Sequence, residues 1–540
     1  MTATPTRWPP ALRTRVPADL APPTKTPTPP GSRVDVFLRA GLVVAAIGFI
    51  ACYAAVAITR FRAPYQLEWL EGGVLLHVRR VLNGQPLYGA PSLQFTPFLY
   101  TPLYYYVSAG LAWLIGLHLS TLRIVSILSS VAALGVVYRM VWLETRNRWA
   151  AIIAAGLLAA CFRLAGAWLD LARVDSLFLA LLLVGLLCVR QTSTRRGALV
   201  AGVVLAAAFL TKQSAAVPMV VVIPFLWRRG RGLGVVYGAT LGVILGGTTL
   251  WFNHATGGWY SQYVLRLAGQ HTVATNEYLD FFTHDLLRPL SVVLVVAALG
   301  LLASRRGERA WFWIPAVGAL LFASYTARLH TGGYDNVLLP GYAGVAMATG
   351  LGVHALTRLG MRDRHRGWSR LLLAGVLITF LSLVYLPWRQ IPSAATTRAG
   401  NRLVTALGRL PQPVYLPSQS WLLDLARPGT PTTSQSAAFE DVLRGHLRGS
   451  NHWLARDLRT AIGEQRFASV VVDSPAVYSY LPKNFNTAYC RAYTLPHADQ
   501  LEPVTGTRAA PSAVWVPRTA TASCRFFGLW RSTPLRVRGA

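Results

Sequence analysis

Two glutamates stand three residues apart in the stretch "YQLEWLEGG", which covers residues 65–73 and follows a long apolar run. On one helical turn, the carboxylates of Glu68 and Glu71 would face the same way. Their repulsion would then raise the pKa of one of them if the site is partly desolvated. Ionisable groups at a membrane boundary are costly unless they are paired or hydrated. We therefore interpret Glu68 and Glu71 as candidate acid–base groups; the alternative is a solvated loop beside the membrane.

Other polar residues fall in short segments between apolar runs, and such a cluster is also a candidate functional site. These residues are Asp170, Arg173 and Asp175 in "LDLARVDS", Lys212 in "FLTKQSA", His271, Asn276, Glu277, Asp280, His284 and Asp285 in the segment 254–288, and His330, Tyr334, Asp335 and Asn336 in "RLHTGGYDNVLLPG".

Several of these residues also have simpler interpretations. Arg60 and Arg62 are predicted to be interfacial anchors, and Asp170 beside Arg173 is equally consistent with a structural ion pair. Glu277, Asp280 and Asp285 fit the solvated face of an amphipathic helix. Lys212 is the only lysine of the apolar region, and its alternative role is that of an anchor whose side chain reaches the membrane surface.

The composition excludes a soluble enzyme. Hydrophobic residues make up 53 % of the 540 residues and charged residues only 14 %, and several apolar runs exceed the roughly 18 residues that indicate a membrane span. The net charge of +31 does not indicate nucleic-acid binding, because the arginines lie in short clusters between the apolar runs. The sequence therefore predicts a polytopic α-helical membrane protein that lies in the bilayer and has no nucleic-acid partner.

Eleven spans position these residues. They are predicted at 36–59, 119–138, 149–168, 176–189, 197–211, 214–227, 233–253, 286–303, 310–326, 336–356 and 371–388. The first apolar run is too long for a cleavable signal peptide and is interpreted as a retained anchor. The segment 1–32 has nine prolines and is predicted to be a disordered cytoplasmic tail.

The arginine distribution sets the orientation. If the N-terminus is cytoplasmic and 102–118 lies along the outer membrane surface as an interfacial helix, the five cytoplasmic loops hold 17 Arg in 43 residues. The opposite loops then hold 9 Lys or Arg in 92 residues, which is a clear positive-inside bias. Treating 102–118 as a twelfth span destroys the bias. The polar segments named above then lie on the extracytoplasmic side.

The chain beyond residue 389 has a different character. "PVYLPS" (413–418) and "FASVVVDS" (467–474) are typical of strands, and "AFEDVLRGHL" and "HWLARDLRTAIGEQ" of amphipathic helices. This order predicts a small extracytoplasmic α/β domain over 391–540, without a glycine-rich phosphate loop. Cys490 and Cys524 would be able to form a disulfide in an oxidising compartment.

The order of several motifs resembles that of membrane glycosyltransferases of the GT-C superfamily. After the acidic pair come "NGQPLYGAPSLQFTPFLYTPLYYYVSAGL", "RIVSIL", "ARVDSLFLAL", "FLTKQSA" and "GGYDNVLLP". The closest resemblance is to the glycosyltransferase 39 and RgtA-like group, and a more distant one to lipid A aminoarabinose transferases and protein O-mannosyltransferases. The resemblance covers about residues 36–390, and it makes 33–390 a GT-C-like catalytic domain with the α/β domain behind it.

The resemblance implies transfer of a sugar from a polyprenyl phosphate donor to an acceptor outside the cytoplasm. A carboxylate of the first external loop would be the general base, with Glu71 expected first and Glu68 second, although many relatives carry Asp there. Lys212 and Arg173 would stabilise the phosphate of the leaving group. The further expected substrate-binding residues are Asp170, Asp175, Tyr104, His330, Tyr334 and Asn336.

The sugar and the acceptor, whether glycan, lipid or protein, stay open. Some relatives use a divalent metal, but no clear ligand set is present in the sequence, so metal dependence also stays open. The competing hypothesis is a transporter or lipid-linked sugar flippase. It is disfavoured because no internal repeat is detected and the charges collect at one face rather than at mid-membrane. A non-enzymatic scaffold would leave the acidic pair unexplained.

Overall fold

The computed structural model describes residues 33–361, 363–473 and 481–519. The predicted tail at 1–32 and Cys524 lie outside these residues. The described chain is mainly helical. The helices are α1 (Arg33–Arg60), α2 (Glu71–Leu82), α3 (Leu103–Ile115), α4 (Leu119–Thr145), α5 (Arg148–Ala160), α6 (Asp175–Gln191), α7 (Arg195–Thr211), α8 (Ala216–Val221), α9 (Ile223–Arg229), α10 (Arg231–Ala255), α11 (Trp259–Ser261), α12 (Glu277–Asp280), α13 (Arg288–Ala303), α14 (Gly307–Leu329), α15 (Leu339–Leu359), α16 (Asp363–Ser382), α17 (Ala394–Leu407), α18 (Trp421–Ala426), α19 (Ser436–Arg444), α20 (Ser450–Gly463) and α21 (Phe485–Ala488).

The protein is a polytopic helical membrane protein. Within the described residues, six helices are long and apolar enough to cross a bilayer, or seven if a helix pair bent by 56° at a break after α16 counts as one span. Each of the eleven predicted spans coincides with a helix or a broken helix, but several, such as α5 to α9, have fewer than the roughly 20 residues of a typical span. The count of eleven therefore stays a prediction.

Two of the predicted spans differ from the observed helices. The span 149–168 ends early, because α5 stops at Ala160 and a loop of turns, 161–174, follows it. In this loop Gly166 and Ala167 have φ angles of 68° and 57°, which a right-handed helix cannot contain. The span 214–227 is broken between α8 and α9, where Pro224 starts the second helix.

Helices α1 and α16 run parallel, which defines the two ends of the bundle. Arg370 of α16 pairs with Asp35 near the start of α1 at 2.8 Å. At the other end, the Arg60 guanidinium donates to the Gln390 carbonyl, 2.9 Å away, just beyond α16. We call this second end, where α1 ends and α2 begins, the site end. Helix α15 is the central helix, because 94 % of the most apolar segment within Asp335–Leu359 is buried.

Helix α2 is fixed at the site end by aromatic rings. A Cβ on Gly72 would lie 1.9 Å from the Trp421 ring, and one on Gly73 would lie 2.6 Å from the Phe98 ring. The Gly-Gly of the opening stretch is thus required for close packing of these rings on α2. His77 stacks on Phe98 with ring centroids 4.5 Å apart, and its Nε2 accepts from the Phe98 N–H at 2.9 Å.

The C-terminal region contains a four-stranded sheet. Its strands are β1 (Val414–Tyr415), β2 (Ser469–Asp473), β3 (Tyr489–Thr494) and β4 (Pro511–Pro517), in the order β1-β2-β4-β3. β1 and β2 are parallel, as a β-α-α-β order requires, whereas β4 pairs antiparallel with both β2 and β3. The four elements predicted from sequence are observed as β1, α19, α20 and β2. Cys490 on β3 is disulfide-bonded.

The described residues of this region share their apolar core with the helices at the site end. One hydrophobic cluster contains Trp69 just before α2, Tyr105 of α3, Phe439 of α19 and Val470 of β2. The C-terminal region therefore packs directly on α2, where Trp421 and Gln435 lie against Gly72 and Gly73. The boundary of a separate domain at residue 391 stays a prediction, as does its location outside the cytoplasm.

Candidate active site

Four buried ion pairs lie at the site end, and all eight side chains are at most 9 % exposed. They are Arg60–Asp170, Arg123–Glu71, Arg173–Glu68 and Lys212–Asp175. The turn loop 161–174 and the helix ends around it supply most of these groups. Three of the polar segments that the sequence singled out are thus brought together. The pairs differ in whether all of their polar atoms have hydrogen-bond partners.

Every hydrogen-bonding position of the Glu71 carboxylate is occupied. Arg123 donates to both of its oxygens at 3.0 and 2.7 Å, and the backbone N–H groups of Leu67 and Ala172 donate at 2.6 and 2.7 Å. Burial alone would raise the pKa of Glu71, but Arg123 and the two N–H donors hold this pKa below its usual range. Arg123 is itself satisfied by carbonyls of the loop 61–65. The pair therefore fixes the loop and the turn that follow α1 and α5.

Arg60 and Asp170 form the second satisfied pair. The Arg60 Nε donates to Asp170 at 2.6 Å, and other guanidinium N–H groups donate to the carbonyls of Ala167 and Gln390. The prediction that Arg60 is an interfacial anchor is wrong, because its side chain is completely buried. Asp170 pairs with this residue, 110 positions away, and not with its neighbour Arg173.

The Glu68 carboxylate, in contrast, keeps one oxygen free. Its Oε2 accepts from Arg173 at 2.7 Å and from the Leu70 N–H at 3.1 Å, whereas Oε1 has no partner among the described residues. Burial raises the pKa of Glu68 to about 7, although Arg173 opposes the shift. Arg173 lies between the rings of Trp168 and Tyr100, donates to the Tyr100 hydroxyl at 2.8 Å, and leaves its Nε unpaired within the described chain.

Lys212 and Asp175 form the fourth pair. The Lys212 Nζ lies 2.6 Å from Asp175 Oδ1, which also accepts from the Asn336 amide at 2.9 Å. The alternative that Lys212 is a surface-reaching anchor is wrong, because only 7 % of the residue is exposed and its amine points to a buried carboxylate. Asp175 Oδ2 accepts no hydrogen bond from the described residues. This pair, like the Glu68 pair, therefore has unused polar capacity.

A segment of the C-terminal region closes over Glu68. The N–H groups of Val504 and Thr505 both donate to the Leu67 carbonyl, at 2.9 and 3.0 Å. Gly506 follows with a φ angle of 72°, and a Cβ at this position would lie 3.3 Å from the free oxygen of Glu68. The glycine is required both by its positive φ and by this close approach. The free carboxylate oxygen therefore points towards a thin wall of backbone.

Three of the expected substrate-binding residues lie in different surroundings. Tyr104 is fully buried, and its hydroxyl donates to the Leu122 carbonyl at 3.0 Å, so it packs α3 on α4. Tyr334 is 39 % exposed and bonds to the Thr507 hydroxyl at 2.7 Å. His330 is half-buried, and its Nδ1 has no partner in the described part of the chain. Of these three residues, only Tyr334 and His330 are partly exposed.

The acidic residues of the segment 254–288 do not form one solvated face. Arg328 pairs with Glu277 at 3.2 Å and with Asp285 at 2.9 Å, and both carboxylates are mostly buried. For these two the solvated-face interpretation is wrong, since their side chains turn to α14; it holds for Asp280, whose side chain is 42 % exposed.

Sequence reasoning missed four residues of the site. Arg123 is a lone arginine within an otherwise apolar predicted span, and such a charge requires a buried partner; this signal was present in the sequence. Tyr100, Trp168 and Gly506 had no local signal, because each reaches Glu68 or Arg173 only through tertiary packing.

A metal site is not evident in the described residues. They contain no group of three or more His, Cys, Asp or Glu side chains that could hold an ion. The carboxylates of the site are each directed at a cationic side chain instead. Metal dependence stays open.

Comparison with known proteins gives one family match. Residues 98–330 match the model of glycosyltransferase family 87. This segment is less than half of the chain, and it includes Arg123, Arg173, Asp175 and Lys212 but not the two glutamates. The matched model differs from the glycosyltransferase 39 group expected from the motifs. No curated protein matches the chain.

Solved structures that match this chain include those of ArnT and AglB. ArnT from Cupriavidus metallidurans, bound to undecaprenyl phosphate, is 13 % identical and has a TM-score of 0.56, with 87 % of this chain and 97 % of that chain covered. The apo state of the same protein is 14 % identical and has a TM-score of 0.54, with 87 % of this chain and 98 % of that chain covered. The archaeal oligosaccharyltransferase AglB from Archaeoglobus fulgidus, in complex with an inhibitory peptide and a dolichol-phosphate, is 11 % identical, with a TM-score of 0.48 and coverage of 85 % and 73 %. The similarity to ArnT shows a shared fold over nearly all of both chains.

Proposed function

We propose that this chain, a membrane glycosyltransferase of the GT-C superfamily, transfers a sugar from a polyprenyl phosphate donor to an acceptor hydroxyl at the outer face of the membrane. The observation that carries the proposal is the buried Glu68 carboxylate, with one oxygen free and the other held by Arg173. The undecaprenyl phosphate bound to ArnT, a protein of the same fold, supports a donor of this class.

Glu68 is the better candidate for the general base, which reverses the order expected from sequence. A base needs a free lone pair and a pKa near the working pH. Glu68 has a free Oε1 and a pKa of about 7. All the hydrogen-bonding positions of Glu71 are occupied and its pKa is lowered, so a proton would have to displace Arg123 or a backbone N–H.

In the proposed reaction Glu68 Oε1 takes the proton from the acceptor hydroxyl. The acceptor oxygen then forms a bond to the anomeric carbon of the donor sugar. The bond between this carbon and the phosphate oxygen breaks, and its electron pair leaves with the polyprenyl phosphate. Attack from the face opposite the leaving group inverts the anomeric carbon, as the resemblance to the superfamily implies.

The charge that develops on the leaving phosphate needs cations. Arg173 is held by Glu68 and by the Tyr100 hydroxyl and has an unpaired Nε. Lys212 is held by Asp175, which the Asn336 amide orients. Pre-formed pairs keep both cations in place without solvent reorganisation. We therefore assign the donor phosphate to Lys212 and Arg173, with Asp175 and Asn336 as positioning residues.

The transporter alternative has less support. In a transporter, charged residues are expected near the middle of broken helices. In this chain the four buried pairs instead lie where helices α1, α5 and α7 end and α2 and α6 begin. A shared helix end is the expected place for chemistry on a lipid phosphate, because this group stays at the membrane surface while its chain stays in the bilayer.

The function can be tested directly in membranes that contain the full chain. Such membranes would be incubated with a panel of radiolabelled polyprenyl phosphate sugars, and the label would be followed into products. We expect one donor to be consumed by the wild-type protein and not by Glu68→Gln. Movement of intact labelled donor across the membrane, without release of polyprenyl phosphate, would instead indicate a flippase.

A further inference from the structure

A cavity of about 210 Å³ lies at the end of the bundle opposite the site end. Its walls come from the beginning of α1, the first turns of α5, the last turns of α15 and the middle of α16. This is the end at which Arg370 pairs with Asp35, and the arginine distribution predicts that it faces the cytoplasm. No residue of the four buried ion pairs lines the cavity, so it is separate from the proposed reaction.

The cavity reaches between the helices. Its inner wall consists of four aliphatic side chains that are at most 7 % exposed, Leu42, Ile153, Val353 and Leu373. Each of them belongs to a different helix, namely α1, α5, α15 and α16 in that order. Because the interiors of folded proteins are normally close-packed, a gap that four helices share leaves room for part of a ligand.

The cavity is basic. Arg39 of α1 and Arg358 in the last turn of α15 line it and are exposed. Among the described residues neither guanidinium has a hydrogen-bond or ion-pair partner, and the described lining contains no carboxylate. Asp35, one turn before Arg39 on α1, is held by Arg370 instead, 2.8 Å away. The cavity therefore has two uncompensated positive charges.

A fixed amide adds a hydrogen-bond donor to the lining. Asn147 Oδ1 accepts from the N–H groups of Trp149 and Ala150 at 3.0 and 3.3 Å, which caps α5 and holds the side chain in place. The amide nitrogen of Asn147 lies 3.5 Å from His354 Nδ1, and both residues line the cavity. Since this nitrogen carries two N–H groups, at least one of them is available to a ligand oxygen. Cations and an N–H donor without a competing carboxylate favour an anion.

The rim of the cavity is apolar. Trp149 and Met361 line it and are 57 % and 54 % exposed, close to the ends of the spans predicted at 149–168 and 336–356. Tryptophan is typical of the boundary between lipid and water. An opening with two arginines and exposed apolar side chains at this boundary fits an amphiphile that has an anionic group. Arginines that only anchor helices would extend into water and would not require the gap between the helices.

We propose that this cavity binds the headgroup of an anionic phospholipid from the membrane leaflet on the side opposite the site end. Arg39 and Arg358 hold the phosphate, because their N–H forks match its oxygens, and the Asn147 amide donates to a further headgroup oxygen. The acyl chains pass Trp149 and Met361 into the bilayer. The predicted cytoplasmic leaflet is the one that carries anionic lipids. The lipid is a structural ligand that joins α1 to α15, and it is not a substrate.

The position of the bound lipid can be mapped without sugar transfer. The purified full chain would be incubated with phosphatidylglycerol that carries a photoreactive diazirine next to its glycerol, and the labelled peptides would be identified by mass spectrometry. We expect label on the wild-type peptides that contain Trp149 and Met361. When Arg39→Gln and Arg358→Gln are combined, this label should fall at least about 10-fold, since two charge-assisted contacts are lost.

The matched control removes the same number of charges elsewhere. Arg305→Gln combined with Arg306→Gln changes two exposed arginines between α13 and α14 that do not line the cavity, and it should keep the wild-type label. Thermal unfolding supplies a second readout, because a ligand that binds only the folded protein raises its melting temperature. Phosphatidylglycerol should raise the melting temperature of wild type and control more than that of the double variant, whereas phosphatidylcholine with the same tails should not distinguish the three proteins.

Three results would overturn the inference. The first is equal labelling of both peptides in wild type and in the double variant. The second is loss of the label when soluble glycerol 3-phosphate is added at the concentration of the lipid, which would assign the cavity to a free phosphate. The third is equally strong labelling by phosphatidylcholine with the same diazirine, which would make the cavity an apolar crevice without charge selection. None of these readouts depends on turnover, so the inference holds or fails independently of the proposed function.

Discussion

Replacement of Glu68 by glutamine should strongly reduce transfer and disturb the fold less than the same replacement of Glu71. Gln keeps the size of the side chain, and its carbonyl oxygen can still accept from Arg173 and from the Leu70 N–H. The free Oε1 is lost as a proton acceptor. Loss of a general base costs about 10²–10⁴-fold in rate, so we expect Glu68→Gln to fall by this factor with donor binding retained.

The same substitution at Glu71 should mainly lower the stability of the protein rather than remove the catalytic base. Glu71 is fully buried with both oxygens on Arg123, and Gln would leave this guanidinium without a counter-ion. Breaking a buried pair in this way costs about 3–5 kcal/mol. We therefore expect Glu71→Gln to lower the thermal stability and the amount of folded protein in the membrane more than Glu68→Gln does, because Arg173 keeps Asp175 as a second nearby carboxylate.

The pH dependence follows from the raised pKa of Glu68. Burial raises this pKa to about 7, and the carboxylate acts as a base only in its ionised form. Transfer by the wild-type protein should thus rise with pH through about 7 and become constant above it. The residual activity of Glu68→Gln should not follow this ionisation.

The assay compares wild type, Glu68→Gln and Glu71→Gln at matched levels of folded protein. Release of polyprenyl phosphate is followed from pH 5.5 to 9, a range of about 1.5–2 units on either side of an ionisation near 7. Thermal unfolding of the same samples is measured in parallel. A fully folded but inactive Glu71→Gln variant beside an active Glu68→Gln variant would refute the reasoning and restore the order expected from sequence.

Three further predictions follow. Lys212→Met should weaken transfer by about 2–4 kcal/mol in transition-state stabilisation, with Lys212→Arg retaining part of the activity; unchanged donor kinetics in the Met variant would contradict the role. Gly506→Ala should reduce turnover because its Cβ meets the proposed base, whereas Gly429→Ala, with a similar φ of 81° and open space around it, should cost only the backbone strain. A reporter fused at residue 365 should be cytoplasmic and one fused after 400 external, and both on one side would contradict the predicted orientation.

The helices were predictable from sequence because apolar length is a local property. The predicted spans coincide with helices or broken helices, and β2 appears where "FASVVVDS" indicated a buried strand. The end of α5 was not predictable, because Ala167 takes a positive φ in the following loop although alanine has the highest helix propensity. That conformation is part of the turn loop, where its carbonyl accepts from Arg60.

The roles within the site were predictable only in part. Composition and loop placement identified Glu68, Glu71, Arg173 and Lys212, all of which lie in the four pairs. They did not identify which carboxylate is satisfied, because the partner of Glu71 is 52 residues away and that of Glu68 is 105 residues away. Spacing along a helix turn says nothing about partners contributed by other helices.

The contact of Val504 and Thr505 with Leu67 has a consequence for how the protein is made. Synthesis runs from the N-terminus, so every helix of the bundle and both glutamates leave the ribosome before residue 504 does. The carbonyl of Leu67 receives its N–H donors only when Val504 and Thr505 have been translated, after every helix of the bundle. A nascent chain that already occupies the membrane therefore lacks the wall over Glu68. Completion of the site is deferred until all helices of the bundle have been made, and a chain that stops short of residue 504 would insert without acquiring it.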